Sequence, residues 1–365
     1  RARQRAASGA ARAEADKLRV ELEGLNAEAA RPVADQRLGV SPGQAAWAQL
    51  ALAEVGLAAG EPQKARVAIE RLKGGQRSSR GLLEAQAALG LALGDVGEAG
   101  RLAEQGLERW PTSPIFTAVR ARALLSTGDL EGAAAVIGKL AAADDSIELT
   151  ILRGEIAIAK HDLPAATKLL DAALAKRPDD LDALLARAAV DLENNDPHAA
   201  QTRLEARYSK QAPPRLTIAY ASALRLQKQW QDARVALGRI TTDGAPGPIT
   251  GRAWLERARV ERDAGNAKDA RDAYGRAQEM LPSSREAQRE AAALAIDDGD
   301  ALGGRDALKK LIDGAADDGA ALVEAARALT FTGDLAGAKA YLDRAADLDA
   351  AAAARLARER GRLAL

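Results

Sequence analysis

Residues 121–137 read ARALLSTGDLEGAAAVI, and this stretch contains the pattern that decides the fold. Gly128 is followed by the acidic Asp129, and Ala133 stands five positions after the glycine. A second small residue, Ala121, stands seven positions before it. Glycine accepts the left-handed backbone conformation that ends a helix, and aspartate caps the helix that follows. The stretch therefore predicts a helix, a tight turn and a second helix.

The same pattern returns at nearly constant intervals along the chain. Each copy has an acidic or amide residue after the turn, and Ala or Gly both seven positions before the turn and five after it. Because Ala and Gly make up about a third of the chain, nine chance matches at one position have odds of about one in twenty thousand. The turn positions, separated by 33 to 37 residues, are Gly60, Gly94, Gly128, His161, Asn195, Lys228, Gly265, Gly299 and Gly333.

The spacing of small and large residues predicts how the two helices of a unit pack. Small residues before and after the turn lie on facing helices and let the backbones approach closely. Larger side chains four residues further on supply a buried ridge. They are Ile69, Ile137, Leu170, Leu204, Leu237, Tyr274, Leu308 and Leu342. Pro111, Pro178 and Pro282 are expected to end three of the second helices.

In these features the chain resembles the tetratricopeptide repeat family over about residues 46–350. The small residue, turn glycine, alanine and terminal proline stand in the family's order and spacing. The family's early aromatic residue has a counterpart only in Trp254. Sel1-like repeats fit less well because their units are longer and less regular. The resemblance implies an all-α, right-handed α-solenoid of about nine helix-turn-helix repeats that binds proteins rather than catalysing a reaction.

Three segments follow from this interpretation. Residues 1–45 are expected to form an N-terminal helical cap, a linker or a degenerate repeat, and residues 46–350 the solenoid. The interval of 37 residues between two turns places an insertion at Thr241–Pro248, which is predicted to be a loop, with a candidate hinge at residues 241–250. Residues 351–365 are expected to form a C-terminal capping helix.

Composition excludes much enzyme chemistry. The absence of cysteine excludes disulfides, thiolate zinc sites, iron–sulfur clusters and a cysteine nucleophile. His161 and His198 are the only histidines, and both are expected to have structural roles. We therefore predict no catalytic residue, no cofactor and no metal site. No apolar run is long enough to span a bilayer, and the formal net charge of zero does not favour nucleic acid.

The resemblance places partner binding on the first helices, which line a concave groove in this family and hold a peptide or helix of a partner. The first groove positions are mostly apolar with acidic residues. They are Trp47, Leu50, Glu54, Leu57, Glu84, Leu91, Arg122, Leu125, Ile151, Glu155, Ile158, Leu185 and Leu192. The later positions are basic: Arg215, Ser222, Arg225, Arg252, Arg259, Arg262, Arg289 and Arg327.

The basic positions predict a partner with an acidic or carboxylate-bearing segment. The alternative is that these arginines only cover helix surfaces with their aliphatic stems. The lysine and asparagine pair by which some family members hold a chaperone's C-terminal carboxylate is absent from these positions, so chaperone tails are not expected. The oligomeric state stays open.

The predicted function is a non-catalytic scaffold in a bacterial multiprotein assembly. Arginine outnumbers lysine 39 to 13, which together with 89 alanines is typical of a GC-rich bacterial genome. Two alternatives are a regulatory or targeting portion of a larger enzyme or membrane-anchored protein, and an RNA-binding helical repeat. The lack of cysteine favours the bacterial envelope or periplasm. The basic first dozen residues equally suit the cytoplasmic flank of a membrane helix.

Overall fold

The computed structural model describes residues 42–58, 62–72, 80–127, 129–140, 146–208, 212–244, 246–314 and 319–348. The predicted C-terminal capping helix at 351–365 lies outside the described residues, as does nearly all of the predicted N-terminal segment. The first described helix begins at Pro42, inside that N-terminal segment.

Regular structure in these ranges consists of eighteen helices. They are α1 Pro42–Ala58, α2 Pro62–Leu72, α3 Arg80–Leu93, α4 Val96–Arg109, α5 Pro114–Thr127, α6 Leu130–Gly138, α7 Ile147–Ala159, α8 Leu163–Lys176, α9 Leu181–Glu193, α10 Pro197–Glu205, α11 Pro214–Leu226, α12 Trp230–Asp243, α13 Pro248–Asp263, α14 Ala267–Met280, α15 Arg285–Asp297, α16 Ala301–Gly314, α17 Gly319–Phe331 and α18 Leu335–Leu348.

The helices form consecutive pairs, and the predicted all-α repeat architecture is confirmed. A first helix packs on its own second helix, as α3 does on α4, and a second helix packs on the next first helix, as α4 does on α5. The chain divides into two compact units, which we call the N-terminal unit, up to Ala223, and the C-terminal unit, from Leu224. The division falls within α11, and the candidate hinge at 241–250 stays a prediction.

The turn positions predicted from the sequence have the expected backbone conformation. Seven of the nine are described, and each has a φ between 56° and 95°. Four of these are glycines, whereas His161, Asn195 and Lys228 adopt the left-handed conformation with a side chain present. Gly60 and Gly128 lie outside the described residues. The repeat register is therefore confirmed at every predicted turn that the structure describes.

Aspartates after the turns cap the second helices, as predicted. The Asp95 carboxylate accepts a hydrogen bond from the Glu98 backbone N–H at 3.2 Å, and Asp129 accepts one from Gly132 at 2.8 Å. The same bond is made by Asp162, Asp196, Asp300 and Asp334. Gln229 and Asn266 hold the equivalent position without a side-chain capping bond. Most turns thus satisfy an otherwise unpaired backbone donor.

The small residues on either side of the turn are buried where the two helices meet. The alanines seven positions before the turns are at most 4 % exposed, and the alanines five positions after them are fully buried. At Gly154, an added Cβ would lie 2.8 Å from the Leu170 side chain. At Gly304, it would lie 2.5 Å from the Ile296 side chain and 2.8 Å from the Ala292 carbonyl oxygen. The helix backbones therefore approach closely here, and the predicted ridge residues are buried beside them.

The insertion differs from the prediction. Thr241–Asp243 belong to α12, and Pro248 is the first residue of α13, so the predicted loop over 241–248 is wrong at both ends. The helix continues because the Gly244 N–H still donates to the Ile240 carbonyl at 3.1 Å. Proline is accepted at a helix start because its missing N–H has no partner there.

We expect Gly304→Ala to destabilise the chain by about 1–3 kcal/mol, because the new methyl group meets backbone and a buried side chain. The matched control is Gly275→Ala in α14, where a Cβ meets nothing within 4 Å. That change should stabilise the helix by about 0.5–1 kcal/mol. Thermal melts followed by circular dichroism separate the two cases. Equal melting temperatures would contradict the close approach.

Candidate partner-binding faces

In the N-terminal unit the first helices form one layer. Helices α1, α3, α5 and α7 each pack directly on the next first helix, so the series runs from α1 to α9. Consecutive second helices make at most marginal contact with one another in the described residues. The first helices thus lie closer together than the second helices. We call the outward side of this layer, including the start of α11, the N-terminal face.

An ion-pair chain crosses the N-terminal face. The Arg122 guanidinium on α5 lies 3.5 Å from Glu155 on α7 and 3.5 Å from Asp182 on α9. Arg215 on α11 donates to the other Asp182 oxygen at 2.7 Å. Arg122 therefore reaches past α7 to a helix two repeats away. Such a contact requires side chains of alternate first helices to converge, so the face is concave at this point.

Burial and neighbouring charges shift the pKa values of Arg122 and Asp182 in opposite directions. Burial alone would lower the pKa of Arg122, but the charges of Glu155 and Asp182 outweigh it and raise that pKa. Burial alone would raise the pKa of Asp182, yet Arg215 and Arg122 hold it below its ordinary value. Both groups are therefore charged at neutral pH.

Apolar side chains line the same face. Leu57, Leu91, Leu125, Ile158 and Leu192 each stand three positions before a turn, and all five are half-buried. We call these five residues the apolar stripe. Leu50, Glu54 and Leu185 are also half-buried.

Three predicted groove residues are not found on the exposed side of the N-terminal face. Ile151 is buried in the core and does not face the groove. Glu84 is also buried, and its carboxylate accepts hydrogen bonds from Arg80 at 2.9 Å and from Ser113 at 2.7 Å. The Trp47 side chain lies outside the described residues.

The first helices α13, α15 and α17 and the end of α11 carry most of the predicted basic positions. We call their surface the C-terminal face. Arg225 is only 11 % exposed and donates to Glu256 at 2.7 Å and to Asp263 at 2.6 Å. Burial alone would lower the pKa of Arg225, but Glu256 and Asp263 raise it. This arginine is committed to neighbouring carboxylates.

Arg259 and Arg262 belong to the same network. Arg259 donates to Glu290 at 2.6 Å, to Glu286 at 2.5 Å and to Glu256 at 3.2 Å. Arg262 donates to the Tyr274 hydroxyl at 3.1 Å, and that hydroxyl donates to Glu290 at 3.0 Å. Burial would raise the pKa of Glu290, but hydrogen bonding and the charges of Arg259 and Arg262 lower it.

The remaining predicted arginines differ in their partners. Arg327 is paired with Asp297 at 3.0 Å and Glu324 at 2.9 Å. Arg252 has an interaction partner of its own. Arg289 is half-buried and makes no ion pair or hydrogen bond with any residue that the structure describes. Ser222 is also half-buried. The predicted basic stretch is therefore largely neutralised from within, with Arg289 as the exception.

The carboxylates that pair with these arginines are not among the predicted groove residues, although the sequence contains a pattern that identifies them. Glu256 stands 31 residues after Arg225, and Glu290 stands 31 residues after Arg259. Because one repeat is about 34 residues long, such pairs lie side by side on neighbouring first helices. Searching for opposite charges one repeat apart finds them.

A second network, which the sequence does not predict, surrounds a deeply buried carboxylate. Glu261 on α13 is 2 % exposed and accepts hydrogen bonds from Arg234 at 2.7 Å, Arg257 at 2.6 Å and Asn266 at 2.9 Å. Burial alone would raise its pKa, but these three donors lower it to about 2. This network joins α12, α13 and the turn before α14.

The described helices lack two other kinds of functional feature. In the ranges that the structure describes, no three histidine, aspartate or glutamate side chains are grouped as a metal site requires. Among the same residues, no helix combines the length and apolar character needed to cross a membrane.

Comparison with known proteins defines the fold. No protein-family model matches the sequence, and no curated protein matches it closely enough to be significant. The crystal structure of the APC/C hetero-tetramer Cut9–Hcn1 matches over 90 % of this chain with a TM-score of 0.60 and 12 % identity. The fold is the tetratricopeptide repeat fold. This chain spans 65 % of the matched chain, which is less than two thirds.

Two bacterial tetratricopeptide repeat structures are also similar. A protein from Parabacteroides merdae matches over 69 % of this chain and 99 % of its own, with 15 % identity and a TM-score of 0.48. A thermophilic protein from Thermus thermophilus matches over 51 % of this chain and 100 % of its own, with 18 % identity and a TM-score of 0.45.

The Glu261 network predicts a specific pH dependence. Since folding lowers the pKa of Glu261 from 4.5 to about 2, its contribution to stability is complete above about pH 4.5. That contribution is lost as the pH falls through 2. We expect Glu261→Gln to lower stability at pH 7 by about 3–5 kcal/mol, because Arg234 and Arg257 lose their counter-charge.

Urea unfolding between pH 7 and pH 2 measures both effects. The profile of Glu261→Gln should be flatter than that of the unmodified chain. Glu279→Gln, at an exposed position on α14, is the control and should reproduce the unmodified profile. A Glu261→Gln profile parallel to the unmodified one would contradict the assignment.

Proposed function

We propose that the chain is a non-catalytic scaffold that holds protein partners on its first-helix faces. The observation that carries this proposal is the contact between Arg122 and Asp182 across α7, which is possible only if the N-terminal face is concave there. Half-buried apolar side chains line that concave face, as is usual for ligand-binding surfaces. The Cut9–Hcn1 structure of similar fold is itself a hetero-tetramer, which supports a role in assembly.

The predicted binding residues then divide by unit. Leu50, Glu54 and Arg122 belong to the N-terminal face, with Arg215 at its end. Arg225, Arg259, Arg262 and Arg327 hold carboxylates of this chain, so a partner's carboxylate would have to displace existing ion pairs. Breaking a desolvated ion pair is costly. These four arginines therefore position the helices of the C-terminal face.

We further propose that an acidic segment of a partner binds the C-terminal face at Arg289. Its guanidinium has no ion-pair partner in the described chain, so its five donors are free for a carboxylate. Arg252 belongs to the same proposed site. Because Arg225, Arg259, Arg262 and Arg327 are paired with carboxylates of the chain, the charge offered to a partner's carboxylate here is that of Arg289.

Selection from a random peptide library on the immobilised chain tests both parts. We expect enriched peptides to include an acid-rich class that loses affinity at least tenfold for Arg289→Glu, since a carboxylate then faces a carboxylate. Lys339→Glu, an exposed position on the second helix α18, makes the same charge change and should leave affinity unchanged.

The outcomes of the selection distinguish the scaffold proposal from the proposed role of Arg289. Failure to enrich any peptide on the folded chain would contradict the scaffold proposal. Enrichment without an acidic class, or with equal loss for both variants, would contradict only the role of Arg289.

A further inference from the structure

Glu155 is a carboxylate of the N-terminal face whose internal pairing is weak. Both of its oxygens face Arg122 alone among the described residues, and both contacts are 3.5 Å long. Its partner arginine is shared with Asp182, which has the shorter bond to Arg215. An ionised carboxylate has room for about four hydrogen bonds. Glu155 therefore has acceptor capacity that the protein does not fill.

Glu155 is accessible from outside. Its side chain is 26 % exposed, and that of Asp182 is 34 % exposed. Further negative charge lies at the end of α9, where Glu193 is exposed. Arg122 and Arg215 are the basic predicted groove residues of this face, and they are fewer than its carboxylates. The potential on this face therefore attracts cationic groups and repels acidic ones.

The apolar stripe runs beside these carboxylates. Its members stand at one register position on five consecutive first helices, at intervals of 33 or 34 residues. Axes of packed helices lie about 8–10 Å apart. A bound helix, rising 1.5 Å per residue, meets the next stripe residue after about six residues, and an extended segment after about three. The stripe thus matches a segment with regularly repeated apolar side chains.

We propose that the N-terminal face binds an apolar and basic segment of a partner protein, with a lysine or arginine on Glu155 and apolar side chains on the stripe. This inference rests on the proposed scaffold function and specifies the partner's chemistry on one face. The two faces then select oppositely charged segments, acidic at Arg289 and basic at Glu155. A cation on the unfilled acceptor sites of Glu155 adds a short charge-assisted bond and leaves the contacts with Arg122 in place.

The test uses the same random peptide library on three forms of the full chain: unmodified, Glu155→Lys and Glu131→Lys. Glu131 lies on the second helix α6 and is exposed, so its variant makes an identical charge change away from the face. We expect a class of apolar, basic peptides to be lost for Glu155→Lys and kept for Glu131→Lys. Melting temperatures of all three forms establish that they are folded.

One enriched basic peptide then serves as the defined probe in fluorescence anisotropy. Glu155→Gln should weaken its binding at least fivefold, and Leu125→Ser should weaken it through the stripe. Replacing the peptide's lysines by glutamate should restore binding to Glu155→Lys. Such rescue distinguishes a direct contact from a change in the position of Arg122.

Three results overturn the proposal. They are a pool whose Glu155-dependent peptides are acidic or neutral, a pool with no Glu155 dependence, and a charge-swapped peptide that fails to restore binding. The absence of any enriched peptide on the unmodified chain instead contradicts the scaffold function on which this proposal rests.

Discussion

Every helix pair in the described part of the chain depends on the absence of side-chain bulk at two positions. Where the helices face each other, the chain has alanine or glycine, and at Gly304 even one methyl group would meet a backbone oxygen. Close approach brings the ridge residues into contact and buries them almost completely. No repeat needs a large core of its own, because each buries its apolar surface against its neighbours.

Ion pairs between repeats form a second layer of organisation above this packing. Arginine on one first helix holds carboxylate on the next in both units, as in the pairs Arg122–Glu155 and Arg259–Glu290. Removing one partner of a buried ion pair is costly, so these pairs oppose any shift that would separate their helices. Most charges on the two faces are paired in this way, and the proposed partner contacts rest on the incompletely paired Glu155 and Arg289.

The sequence predicts the repeat but not the charge pairing. The turns and the small residues can be recognised in the sequence because they recur at a fixed period. The described turns follow that period, and even Lys228, which is not glycine, has the left-handed conformation predicted for its position. Charge pairing depends on which side chains converge across a curved face. Arg122 and Asp182 are 60 residues apart, so their contact follows only from the packing of three consecutive first helices. The burial of Ile151 also depends on this packing, since the repeat register alone places it in the groove.

If each turn-to-turn interval is one complete repeat, deleting a single interval should leave the remaining repeats folded. Removing residues 162–195 takes out 34 residues and joins α7 to α10 through the His161 turn, with Asp196 as the cap. Circular dichroism should show unchanged helicity per residue and cooperative unfolding. Removing residues 162–187, which breaks the register, should lose both. Equal loss of helicity in the two deletions would contradict the account.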